Sequence, residues 1–138
     1  MAQTDVVWII DELSGVDTSG TNGSGATVQS AVGTDADGGT ITVTLAAFGS
    51  SNNATYGAFA NDSGTGTMTA GSGFAALGVN AGAVLNGGME WKNSNDTSVD
   101  AVFDAVAGAT SGGIAIEVKA AASTSTTYAG YYGSAGYF

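Results

Sequence analysis

The sequence predicts an all-β fold, a jelly-roll-like β-sandwich of about eight strands with a C-terminal Tyr/Gly-rich extension. Three observations lead there. Short runs rich in Val, Ile, Thr and aromatic residues recur along the chain. Clusters of Gly, Ser, Asn and Asp separate them at the spacing sandwich strands need. No stretch shows a capped helical period. Apolar residues make up 43% of the chain and charged residues 10%, so a packed core is within reach. At 138 residues the chain makes one domain that buries roughly two-thirds of its unfolded surface.

Residues 6–13 (VVWIIDEL) are apolar on both faces and read as a central or covered strand that starts the fold. Residues 40–46 alternate cleanly, with Ile41, Val43 and Leu45 on one face and Thr40, Thr42 and Thr44 on the other. Asp37-Gly38-Gly39 before them is a turn signal, which makes residues 27–32 the expected hairpin partner. Residues 55–60 carry Tyr56 and Phe59 around Gly57, and residues 74–79 form a weaker strand. Residues 88–92 (GMEWK) and 98–104 (SVDAVFD) flank the polar turn 93–97. A short helix near residues 101–107 competes with the second of these, but Gly108 and the β-branched neighbours oppose it. In residues 113–119, Ile114, Ile116 and Val118 share one face and Ala115, Glu117 and Lys119 the other. Trp8, Trp91, Phe48, Phe59, Phe74 and Phe103 read as core, because large aromatics on strands fill the space between two sheets.

Residues 1–122 form the sandwich, and residues 123–138 (STSTTYAGYYGSAGYF) differ from them. They carry no charged side chain and hold four of the five Tyr. Tyr, Gly and Ser together supply contact area at low side-chain entropy cost. Tyr128, Tyr131, Tyr132, Tyr137 and Phe138 are therefore the candidate interaction residues.

Composition removes most chemistry. The chain has no Cys and no His, which excludes thiolate chemistry, imidazole bases and the commonest transition-metal ligands. Lys92 and Lys119 are its only basic side chains against twelve carboxylates, for a net charge of −10. Nucleic acid and anionic membranes are poor partners for such a surface. The N-terminus has no basic region, and its apolar run of five residues is too short for a signal peptide core or a membrane span. The expectation is a protein made in the host cytoplasm and exported other than by a secretion signal. Asp35 and Asp37, and Asp96 and Asp100, sit beside Gly and Asn in the manner of calcium loops. They lack the full ligand spacing and read as turn residues, so no metal and no cofactor is expected. Glu90, Asp100, Asp104 and Glu117 are the carboxylates available for glycoside hydrolysis. On a strand Glu90 and Trp91 point to opposite faces, so Glu90 is expected exposed and Trp91 core, or the reverse at an interface, and no catalytic residue is expected.

The order Gly15-Val-Asp-Thr-Ser-Gly-Thr-Asn-Gly23, a Thr-rich strand, Phe48-Gly-Ser-Ser-Asn-Asn-Ala-Thr-Tyr-Gly57, Gly71-Ser-Gly-Phe74, Met89-Glu-Trp91, Asn95-Asp-Thr97 and Gly112-Gly-Ile-Ala-Ile-Glu-Val118 resembles a group of uncharacterised β-sandwich modules of tailed-phage and marine bacterial proteins. The resemblance runs over most of residues 6–120 and carries over no catalytic residues. It implies a structural virion protein: a capsid decoration (cement) protein or another virion-surface subunit, self-associating and bound to a partner such as a major capsid protein. The alternative is a carbohydrate-binding or adhesive module of a tail fibre or extracellular filament, with surface glycans as partner. The related modules have strands before the segment matching residues 6–13, and the Tyr-rich end is particular to this chain. A sheet edge left open in this way invites pairing with a neighbouring subunit or with the tail.

Overall fold

A computed structural model describes residues 6–63, 66–104 and 108–122. After a 3-10 turn at Thr21–Ala26, eight strands follow among the described residues: β1 (Thr27–Asp35), β2 (Thr40–Thr44), β3 (Ala54–Asn61), β4 (Met68–Ala70), β5 (Ala75–Ala81), β6 (Asn86–Lys92), β7 (Ser98–Phe103) and β8 (Ser111–Val118). They form a five-stranded sheet in the order β1-β8-β3-β6-β5 and a three-stranded sheet in the order β2-β7-β4. Every pairing is antiparallel.

The pairing is nested. The first strand bonds the last, the second bonds the seventh, and the third bonds the sixth. A long hairpin rolled into two facing sheets produces this order, which is the jelly roll. Its innermost pair departs from the scheme. β4 bonds β7 whereas β5 bonds β6, so β5 extends the larger sheet and the smaller one stops at three strands.

The two sheets contribute differently to the core. The small sheet supplies aliphatic bulk, with Ile41, Val43 and Leu45 from β2 and its extension, Met68 from β4, and Val99, Ala101 and Phe103 from β7. All are at most 4% exposed. The inner face of the large sheet is mostly small or polar: Thr55, Gly57 and Asn61 on β3, Asn86, Gly88 and Glu90 on β6, and Ser111, Ala115 and Glu117 on β8. Phe59 is the one large apolar side chain of that face in the core cluster. It lies opposite Gly113 on one side and Gly88 on the other. A Cβ at Gly113 would run into its ring, and one at Gly57 would meet both the ring and Val99. The glycines thus hold open the slot in which the ring lies, one reason a glycine persists inside a strand.

The Thr ladder of β2 faces out and its aliphatic residues face in, as the alternation requires. The expected hairpin of residues 27–32 with 40–46 does not form. β1 pairs with β8, and Asp37-Gly38-Gly39 carries the chain from one sheet to the other, with Gly38 at φ 72. Turn chemistry marks the reversal but does not say which sheet receives the next strand. Residues 101–103 are strand, which removes the competing helix there. β4 went unseen in the sequence because three residues are too few to show a period.

Residues 6–13 also differ from expectation. They join no sheet and lie as an extended strap over the outer face of the large sheet. Val7 sits over Gly87, Ile9 over Gly78, and Asp11 reaches the Tyr56 hydroxyl. The other side of the strap faces solvent, with Val6 64%, Trp8 69% and Ile10 80% exposed, so Trp8 is not core. Trp91, Phe48 and Phe74 are half-buried, and Trp91 lies in register with Tyr56 on the outer face. Phe59 and Phe103 are core. The five candidate aromatics of residues 123–138 lie outside the described residues.

Gly113→Ala is expected to lower stability by about 1–3 kcal/mol through overpacking against Phe59. Gly112→Ala, where an added Cβ meets nothing within 4 Å, is the matched control. Urea denaturation of the two variants reads the difference, and equal midpoints would contradict the slot.

Candidate functional site

Two buried carboxylates face inward from the large sheet on either side of β3. Glu117 stands opposite Thr55 and Glu90 opposite Gly57. Two inter-strand spacings and a two-residue offset put their Cα atoms roughly 12 Å apart. Their environments are unlike.

Glu117, 1% exposed, is fully engaged. The Gln29 side-chain amide donates to its Oε2 and the Asn53 amide to its Oε1, each at 2.6 Å. Gln29 also binds both backbone groups of Ala46, and Asn53 accepts from the Ala120 N–H. One carboxylate thereby ties β8, β1, the loop after β2 and the start of β3 together. Above it lies a cleft of about 540 Å³, lined by Thr27, Ser50, Asn52, Asn53, Glu117 and Lys119 among others. Its size falls in the range of small-molecule sites. Its lining mixes amide, hydroxyl and charged groups with Val28 and Ala120, Ala121 and Ala122, and holds no aromatic side chain among the described residues. Lys119 at the rim bonds Asp17 at 2.6 Å, and that hydrogen bond, with those from Ser19, holds the Asp17 carboxyl well below the usual carboxylate range.

Glu90, 0% exposed, has one donor. Gly71 N–H bonds Oε2 at 2.8 Å, while Oε1 has no hydrogen-bond partner among the described residues. Burial pushes its pKa up to about 7; the Gly71 bond opposes the rise, and the charges of Asp100 and Asp96 add to it. A carboxyl with this environment is protonated in the folded core below neutral pH. The expected arrangement of the Glu90-Trp91 pair is reversed: Glu90 is buried between the sheets and Trp91 is half-buried on the outer face.

Asp96 and Asp62 hold turns. Asp96 bonds Lys92 at 2.6 Å and accepts from Ser98 N–H. The lysine bond keeps its carboxyl low against the opposing effect of partial burial. Lys92 also lies 5.3 Å from the centre of the Phe74 ring. Asp62 accepts from Thr110 N–H at 2.6 Å. Among the described residues no three His, Cys, Asp or Glu side chains converge on a point. Glu117 lines the cleft, whereas Glu90 is fully buried and is not among the cleft's lining residues. On the outer face, the Tyr56 hydroxyl donates to Asp11 and contacts the Met89 sulfur. Desolvation and the Asp11 charge raise its pKa to about 12.

The cleft is not visible in the sequence because its parts come from three separated segments, 25–28, 49–53 and 117–122. The strongest available signal was Glu117, a carboxylate within an otherwise apolar alternating run. No family model, curated protein or solved structure matches the chain.

Replacing Glu117 with Ala leaves the buried Asn53 amide without an acceptor, at about 1–3 kcal/mol, and takes from the Gln29 amide one of its two acceptors, the other being the Ala46 carbonyl. A fall in melting temperature well beyond that of Asp100→Ala is expected by calorimetry. Glu90 gives a pH-dependent effect. Its folded pKa of about 7 exceeds the ordinary value of 4.5, so the folded state holds the proton that the unfolded state releases. The associated stability is complete below about pH 4.5 and is lost as pH rises through 7, a change of about 3 kcal/mol. Glu90→Gln should therefore melt progressively higher than wild type from pH 5 to 8. A constant difference over that range would show that the carboxyl does not titrate there.

Proposed function

We propose that the chain is a non-catalytic structural subunit of a virion surface, a capsid decoration protein or a close equivalent. The observation that carries this reading is the strap. Its alternating residues are apolar on both sides, one side packs on the sheet, and Trp8 and Ile10 stand 69% and 80% exposed on the other. A contiguous row of large apolar side chains on a small domain marks a surface meant for burial in an assembly. The jelly roll supports the same reading, since capsid domains use it widely, although fold alone decides no function. The resemblance to phage modules supplies the particle. The non-catalytic reading is supported by the two buried carboxylates: Glu117 is taken up in structural bonding, and Glu90 is fully buried and is not among the residues that line the cleft.

The test is antibody labelling and protein composition of density-purified virus particles from the source of the chain. Many copies per particle on the outer surface are expected, with loss of shell heat resistance when the protein is omitted. Recovery only as free protein overturns the reading.

One observation favours carbohydrate binding: the Glu117 cleft presents amide and hydroxyl groups suited to a sugar's hydroxyls. Saturable glycan-array binding that Asn52→Ala abolishes would establish it, and no binding across the array would remove it.

A further inference from the structure

The β5 margin of the large sheet is an open edge among the described residues. β5 bonds β6 on one side, and no described strand bonds its other edge. Every residue of Ala75–Ala81 except Gly78 is exposed. Val79 lies opposite Gly88 and so belongs to the inner face, yet it is 41% exposed because the small sheet ends one strand early. Leu77, at the irregularity between Ala76 and Gly78, is 38% exposed. The strap places its outward row over this same margin, since Ile9 packs on Gly78 and carries Trp8 and Ile10 on either side of it.

Charge is absent here and abundant elsewhere. Residues 6–10 and 75–85 contain no charged side chain, in a chain of net charge −10. Natural edge strands are usually guarded by Lys, Pro or inward-pointing charge, and β5 has none of them.

We propose that β5 pairs antiparallel with β5 of a second copy about a two-fold axis, and that Trp8 and Ile10 of both straps close over the seam. This deepens the assembly reading of the strap and rests on it. A second copy is the occupant the surface fits. Its margin is equally uncharged, so the two approach where their mutual repulsion is least. The residues of β5 are mostly small, which lets two backbones come to strand-pairing distance. Seven residues of strand edge, the Leu77 and Val79 side chains, and a Trp8 offering roughly 100–150 Å² approach the area of about 800 Å² per partner typical of a stable interface. The remaining negative charge opposes association through solvent, so the dimer tightens as salt is raised.

Sedimentation velocity on the full chain at micromolar to submillimolar concentration tests this, at low and at high sodium chloride. A dimer is expected that strengthens with salt and is lost in Val79→Lys and in the Trp8→Glu/Ile10→Glu pair, with far-UV circular dichroism unchanged. Should Val79→Lys fail to fold, Asn80→Lys on the same edge gives the same readout. A monomer at every salt and concentration overturns the proposal. So does a dimer indifferent to both lysine variants, or one abolished only by removal of residues 123–138. A monomer that nevertheless labels virus particles refutes the β5 seam and leaves the virion reading standing; a β5 dimer absent from particles does the reverse.

Discussion

Phe59 is the contact on which the sandwich depends. The large sheet presents an inner face of Gly, Ala, Ser, Thr, Asn and Glu, and such a face alone buries little apolar surface. Phe59 supplies the missing volume. It does so only because Gly113 opposite and Gly57 two residues back leave room for the ring to lie between the sheets. Val99, Ala101 and Phe103 of β7 and Ile41 and Val43 of β2 complete the cluster around it. Truncating a buried Phe costs about 3–5 kcal/mol, a large share of the total stability of a domain this size. The glycines therefore matter as spaces rather than as flexible joints.

Around that centre the fold is held by polar bonding that the apolar core cannot supply. At one end, Glu117 receives amides from Gln29 and Asn53 and draws four segments together. At the other, Asn61 donates to Ser111, and Asn86 donates to the Ser63 carbonyl. Both clusters are buried, and both leave the outer surface free of the work of stabilisation. Glu90 is the exception, since a single backbone donor serves a fully buried carboxyl. Its cost is tolerable because the protonated form is available, which ties this part of the core's stability to pH.

Much of the architecture was legible. Alternation in β2, the paired signals for β3, β6 and β8, and the spacing of turns all led to a sandwich of about eight strands. The errors share one cause. Residues 6–13 look like a covered strand because both faces are apolar, but periodicity cannot distinguish a strand inside a sheet from one laid across it. In β8 the alternation was visible, yet the aliphatic face with Ile114 and Ile116 turns outward and Ala115 and Glu117 turn inward. There hydrophobicity alone points the wrong way, because Phe59 already fills the space in front of Gly113 and the Glu117 network needs the interior. The cleft was signalled only by Glu117, since its walls come from β1, β8 and loop residues far apart in the chain.

The amino-acid sequence by itself determined the class of fold, through strand-length alternation and turn residues, and it excluded His- and Cys-based chemistry by composition. Those properties are local or additive, so one dimension suffices for them. Which strands become neighbours, which face of β8 is inside, and where Trp8 and Ile10 emerge were decided only in three dimensions. They depend on how volumes interlock across two sheets: Phe59 over glycine, β5 drawn to β6, and a strap that covers one face while exposing another.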